Sequence, residues 1–369
     1  MKNTKTTFDK PLLVITIILL LIGLSVLWSA STTEAEQNFG STSYFIIRQL
    51  TRGVLVGLIL MYIFSKFDYH RFKKPAGIFV VVALLLLILV KVPGLGLTAN
   101  GATRWLVIGP LLFQPSELAK LAMILYISAW YSQPGRGMGH DFWKSIFPPV
   151  AIVGLMSFLI IWQPDLGSTI SLLGIVGLMI YAGGTRLKYL FYLFAGGVTA
   201  VVGFAIIEPY RLQRITAFLN PSGDPLGISY QINQALIAVG TGGLLGYGYG
   251  LSRQKHFYLP EAINDSIFAV MAEELGFIRV VLILLLFAYL VFRGIKISLN
   301  TTDQFGKMLA FGLTSLIGVN VIINVGAIIG LIPLTGIPLP FFSYGSTAMI
   351  VSLSAVGILL NISKQNRAV

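Results

Sequence analysis

Cysteine is absent from this chain, which excludes disulfides, thiolate metal sites and cysteine nucleophiles. Histidine is almost absent too: His70, His140 and His256 are scattered and form no ligand pair. Charge is scarce, at 11% of residues where a soluble domain carries roughly a quarter. Acids are the scarcer sign, 14 against 26 Lys and Arg, for a net charge of +12. Apolar residues fill the space, at 56% of the 369 positions with a mean hydropathy of +0.83. That balance describes an all-α polytopic integral membrane protein, one domain over residues 1–369. Its basic excess is assigned to topogenic Lys/Arg and anionic lipid, with no nucleic-acid partner.

About 20 apolar residues cross a bilayer, and ten segments qualify as spans: 11–31, 46–66, 75–92, 116–132, 146–163, 168–183, 190–207, 267–292, 308–329 and 346–362. The run from Pro11 to Ser31 is too long for a signal h-region and reads as the first span. Lys2, Lys5, Lys10, the Lys66–Lys74 cluster, Arg136, Lys144, Arg186, Lys188, Arg293, Lys296, Lys307, Lys364 and Arg367 then fall on one side. That side is expected to be the cytoplasm, with both termini on it.

Two outward connections stand out. Val92 to Pro115 is Gly-rich and reads as a loop folded back into the outer bilayer face, tolerable only if protein or a cavity covers its backbone. The segment 208–265 is far longer than an ordinary connection. In it, Ile228, Ile232, Leu236 and Val239 recur at helical spacing, the pattern of an amphipathic interfacial helix. A tract from Gly240 to Gly250 follows, read equally as a linker or as a surface packing Tyr247 and Tyr249 on a ligand or lipid. It leads into RQKHFYLPEAINDSIFAVMAEELG at 253–276. There Asp265, Glu273 and Glu274 sit against an apolar span, where an Asp at mid-bilayer costs roughly 2.5–3.5 kcal/mol unless compensated.

A short echo, FQPSELAK at 113–120 and WQPDLGST at 162–169, places an acid just after Gln-Pro at the start of a span. Proline suits the first helical turn, and Glu117 or Asp165 there complements the helix dipole. Lys120 lies one turn inward on the face of Glu117, and such a pair inside a span usually lines a cavity or pathway. The expected outer-face polar set is Arg48, Arg52, Arg104, Glu117, Lys120, Asp165, Arg211, Arg214, Lys255, Glu261 and Asp265. It has no Ser–His pair and no metal-ligand spacing. Cations facing an apolar groove suit a lipid pyrophosphate, and a carboxylate beside them suits a general base. Glycosyl transfer from a lipid-linked donor and proton-coupled anion transport fit this inventory equally well.

Longer stretches break the tie: VLWSAS at 26–31, NGATRWLVIG at 100–109, FQPSELAK, QPDLGS at 163–168, GISYQINQALIAVGTGGLLGYGYG at 227–250, YLPEAINDSIFAVMAEELG at 258–276 and GIPLPFFSYGS at 336–346. In order and over nearly the whole chain they resemble the SEDS family (shape, elongation, division and sporulation; FtsW/RodA/SpoVE), the polytopic peptidoglycan glycosyltransferases. The wording QKHFYLPEA is closer to the division branch than to the elongation branch.

The resemblance implies a SEDS fold in the bacterial cytoplasmic membrane that polymerises lipid II into glycan at the outer face. It implies that Asp265 is the catalytic acid, and that Arg104, Glu117, Lys120, Asp165, Lys255 and Ser343 bind substrate. No cofactor or metal site is implied, and a divalent-cation requirement is left open. Lipid II and the growing strand are the expected ligands. A single-span class B penicillin-binding transpeptidase and other divisome membrane proteins are the expected partners. A lipid II flippase, an elongation-type polymerase and a non-catalytic scaffold are the alternatives; acids clustered toward the outside favour a polymerase over a flippase. Two positions depart from the family pattern. Ser346 replaces a usual Gly, and Arg279 replaces a usual Gly inside span eight, where Glu273 or Glu274 is its expected partner.

Overall fold

A computed structural model describes residues 8–366, apart from 100, 110, 137–141 and most of 187–228. The seventh expected span, 190–207, and Arg211 and Arg214 lie largely or wholly outside the described residues. The described helices are α1 (Lys10–Phe39), α2 (Tyr44–Lys66), α3 (Ala76–Leu89), α4 (Pro115–Tyr131), α5 (Phe142–Trp162) and α6 (Leu166–Ala182). After the gap come α7 (Tyr230–Thr241), α8 (Ile267–Asn300), α9 (Gln304–Ile328) and α10 (Ser346–Asn366). Six of them (α1, α2, α5, α8, α9 and α10) are long and apolar enough to cross a bilayer. The chain is a multi-pass membrane protein.

Helix starts follow capping chemistry. Asp9, Asp165 and Asp303 each accept a backbone N–H from the first turn of α1, α6 and α9. Pro11 and Pro115 sit where the missing N–H is harmless. Helix α1 outruns its expected end at 31 by two turns, because Glu34, Ala35 and Glu36 favour helix although they end the apolar run. Near the opposite end of the helix, Asp9 also forms an ion pair with Arg293 of α8.

Helices α4, α9 and α10 form the enclosed centre, with α4 buried around almost its whole circumference. Close approach uses glycine. A Cβ on Gly357 of α10 would lie 2.5 Å from the Met61 carbonyl of α2, and one on Gly57 would lie 2.6 Å from Leu353.

The mostly helical fold carries one small sheet, at the segment read as a folded-back loop. Residues 96–113 form a three-stranded antiparallel sheet, β1 (Gly96–Ala99), β2 (Ala102–Ile108) and β3 (Leu111–Phe113), in the order β1-β2-β3. Ala99 pairs with Ala102, and Gly101 takes φ 73° in the tight connection. Asn-Gly between strand-forming residues is a strong hairpin signal that a hydropathy reading passes over. The ladder satisfies the backbone groups that a bare loop would strand. The sheet is held at one end of the bundle: Thr347 of α10 accepts the Gln114 N–H (3.1 Å) and donates to the Leu112 carbonyl (3.3 Å).

Helix α8 is broken rather than continuous, since Gly276 takes φ 76°, ψ 171°. Into the break folds the glycine tract after α7. Tyr247 and Gly248 donate to the Glu273 and Glu274 carbonyls (3.0 Å each), while Phe277 and Ile278 donate to Gly243 and Leu244 (2.9 and 3.2 Å). The tract is more than a linker: its backbone packs against the protein's own helix. Tyr249 donates to the Ser25 carbonyl of α1 at 2.7 Å. The break also overturns the partner expected for Arg279. It is exposed and donates to the Leu245 and Leu275 carbonyls (2.9 and 3.3 Å), because the kink turns it away from Glu273 and Glu274. Ser346 causes no disruption: it opens α10, and the Gly345 N–H before it is held by Gln49 Oε1 at 3.1 Å.

Candidate active site

Three loops meet above the bundle at the end that carries the sheet: 242–266, 331–345 and the turn before α6. Tyr344 donates its N–H to the Ile263 carbonyl (2.9 Å), joining the first two. The Thr335 carbonyl presses on Gly167 at the start of α6, where a Cβ would lie 2.1 Å away, joining the second to the third. The described site candidates divide into three groups along this seam.

Asp265 stands half-buried two residues before α8. Its Oδ2 faces Gly336, 3.7 Å from where a Cβ would sit, and Gly336 is exposed at φ 72°. The Asp265 carbonyl accepts from Asn324 Nδ2 of α9 at 2.8 Å. A carboxylate at the seam with an open glycine before it can accept a proton from a ligand hydroxyl. Glu261 is exposed, at φ 54°, and accepts from the Asn264 amide at 2.5 Å.

The second group lies under the sheet. Asp165 caps α6 through the Ser168 N–H (3.0 Å), and its other oxygen accepts from Gln114 Nε2 (3.3 Å) and Ser116 Oγ (3.5 Å). Arg104 on β2 donates to the Gln163 and Pro164 carbonyls, which clips the sheet to the turn before α6. Glu117 and Lys120 form a fully buried pair on α4, Nζ to Oε1 2.6 Å.

The third group compensates the acids of α8. Lys255, only 6% exposed, donates to Glu274 Oε1 (3.1 Å), Ser29 Oγ (3.2 Å) and the Gly250 carbonyl (2.7 Å). Ser29 itself donates to Glu274 at 2.6 Å. Glu273 accepts from Ser252 Oγ (2.5 Å) and from the backbone N–H groups of Arg253 and Gln254. Both carboxylates in this apolar span are thus met by donors, from the loop before it and from Ser29 of α1. Ser343 is buried in the 331–345 loop, where its Oγ accepts the Leu339 N–H (2.8 Å) and its carbonyl accepts from Gln49 Nε2 (3.3 Å).

Arg48 lies over the Tyr44 ring, 4.3 Å from its centroid, beside the same loop. Sequence reasoning passed over Gln49, Ser29 and Asn324, although each is a polar residue inside an apolar run. Among the described residues no group of three or more His, Asp or Glu is placed to hold a metal ion.

The comparisons with known proteins agree along the whole chain. Stage V sporulation protein E of Bacillus subtilis (strain 168) is 42% identical over 367 residues, 100% of each chain. The probable peptidoglycan glycosyltransferase FtsW of Geobacter sp. (strain M18) is 39% identical over 98% of each. Among solved structures, a chain from a work on structural coordination of polymerization and crosslinking by a peptidoglycan synthase complex superposes at TM-score 0.79. It is 27% identical and covers 97% of this chain and 98% of its own. The rod shape determining protein RodA of Thermus thermophilus superposes at TM-score 0.72 with 25% identity over 97% of each chain. The profile of the FtsW/RodA/SpoVE family, described as cell cycle protein, matches residues 10–368, and the chain belongs to that family.

Proposed function

We propose that this protein polymerises lipid II into glycan strands at the outer face of the bacterial cytoplasmic membrane, with Asp265 as the general base. As a member of the family it is a peptidoglycan glycosyltransferase. The observation that carries the site assignment is the seam itself: a half-buried carboxylate, aimed at an exposed glycine, where three anchored loops converge above the membrane helices. Asp265 takes the proton of the acceptor sugar hydroxyl as that oxygen attacks the donor's anomeric carbon. The new C–O bond forms with inversion as the bond to undecaprenyl pyrophosphate breaks. Nearby cations such as Arg48 stabilise the departing pyrophosphate electrostatically.

The remaining candidates divide by their surroundings. Lys255, Ser343 and Arg104 hold loops, and the Glu117–Lys120 pair and Asp165 lie buried beneath the sheet. This reading needs no resident cofactor. Relatives at 38–42% identity carry division and sporulation names, while the rod-shape relative is 25% identical, which favours septal over lateral wall synthesis. Likeness to a chain of a synthase complex supports a transpeptidase partner, a single-span class B penicillin-binding protein.

Purified protein with its transpeptidase is incubated with labelled lipid II in detergent, where transport has no meaning. Polymer on a gel is the expected result; intact lipid II together with transbilayer movement in vesicles would establish the flippase instead.

A further inference from the structure

Asp265 is aimed by something other than its own helix. It precedes α8, so no helical hydrogen bond fixes its backbone, and the loop it occupies must be tied elsewhere. The tie comes from Asn324, 2% exposed near the end of α9, one of the most enclosed helices of the bundle. Its Nδ2 donates one hydrogen to the Asp265 carbonyl and the other to the Ile337 carbonyl, 2.8 Å each. Two acceptors around one nitrogen fix the amide's orientation, since a flipped oxygen would face two carbonyls. Ile337 follows Gly336, the residue that the Asp265 carboxylate faces. One side chain therefore sets both the base and the wall opposite it.

We infer that Asn324 is the positioning residue of the site, pinning the Asp265 loop and the 331–345 loop to a rigid helix so that the carboxylate keeps its line to the acceptor. This inference rests on the reading of Asp265 as the base. Truncating Asn324 leaves two buried carbonyls without their donor and loosens Asp265 and Ile337 locally, while the Tyr344–Ile263 bond still joins the loops and the bundle below stays packed. Displacement of a base by an ångström is a large fault in catalysis and a small one in binding.

Asn320 supplies the control. It lies one turn deeper on the same helix, is similarly buried at 5%, and accepts from Ser171 Oγ at 2.6 Å instead of touching either loop. Wild type, Asn324→Ala, Asn324→Asp, Asn320→Ala and Asp265→Asn are purified with the transpeptidase and assayed on labelled lipid II. Rates are taken per folded molecule, as judged by gel filtration and melting.

Asn324→Ala and Asn324→Asp should each lower kcat by about 10- to 100-fold. KM for lipid II should stay within about threefold, the split expected when only the transition state loses support. Asn320→Ala should melt earlier yet keep its kcat. A kcat near wild type in a folded Asn324 variant, an equal fall in Asn320→Ala, or failure of both Asn324 variants to fold while Asn320→Ala folds would each overturn the inference, the last by making the residue's role one of stability. Asp265→Asn separates the two levels. If it is inactive and Asn324→Ala is active, only the inference falls; if Asp265→Asn is itself active, the assignment of the base falls.

Discussion

Removing Lys120 alone should damage the protein more than removing Lys120 and Glu117 together. The two atoms lie 2.6 Å apart and neither side chain is more than 3% exposed. At an effective dielectric of about 20, unit charges at that distance attract by roughly 6 kcal/mol. Taking each ion out of water costs several kcal/mol, so the intact pair is close to neutral in its net contribution. Its halves are not. Lys120→Ala strands a buried carboxylate at a cost of about 3–5 kcal/mol, and Glu117→Ala strands the ammonium at a similar cost. Each should lower the melting temperature in detergent by about 5–10 °C. The double variant loses the pair and leaves a cavity but no stranded charge, so it should melt above either single variant. For the double variant to melt above either single, the coupling energy of the cycle must exceed the cost of one single variant, about 3–5 kcal/mol. Melting followed by gel filtration of a fluorescent fusion gives all four temperatures. Losses that simply add in the double variant would refute the reasoning, because independent side chains have no coupling.

Gly276→Ala should fold poorly, since φ 76°, ψ 171° is open to glycine almost alone at a cost of about 1–3 kcal/mol for other residues, and the added Cβ would lie 2.2 Å from the Gly246 nitrogen; wild-type melting would contradict this. Lys255→Met should melt early because Glu274 loses its cation, and KM for lipid II should change less than stability does; a large KM rise in a stable variant would place Lys255 on the substrate instead. Reporter fusions at Gly135 and Asp303 should read cytoplasmic and those near Asn38 and Gly223 outside. A cytoplasmic reading at Gly223 would put Asp265 on the wrong face.

Much of the frame was legible because the membrane imposes simple rules. Apolar runs place the spans, and Asp165 was expected at the start of its helix, where it proves to be the cap. The Glu117–Lys120 pair followed from i,i+3 spacing alone. Contacts between residues far apart in the chain were out of reach. Nothing in the order of residues says that Lys255 meets Ser29, or that Gly276 opens α8 to admit the glycine tract. The assignment of Arg279 to Glu273 or Glu274 assumed an unbroken helix, and one glycine dihedral undid it. The sheet at 96–113 was hidden by reading glycine as looseness where Asn-Gly marked a hairpin. Asn324 was visible only as a polar residue in an apolar span; what it holds is a property of the fold.

The central claim is that Asp265 takes the proton. Asp265→Asn keeps the shape and the backbone tie to Asn324 but cannot act as a base. Polymer formation from labelled lipid II by the purified variant, with its transpeptidase bound, should fall by about 10²- to 10⁴-fold. Folding and partner binding should stay normal, and Glu261→Gln, in the same loop but exposed, should remain near wild type. Asn keeps the size and hydrogen-bonding reach of the side chain, so an active Asp265→Asn enzyme would reduce Asp265 to a structural residue and contradict the account.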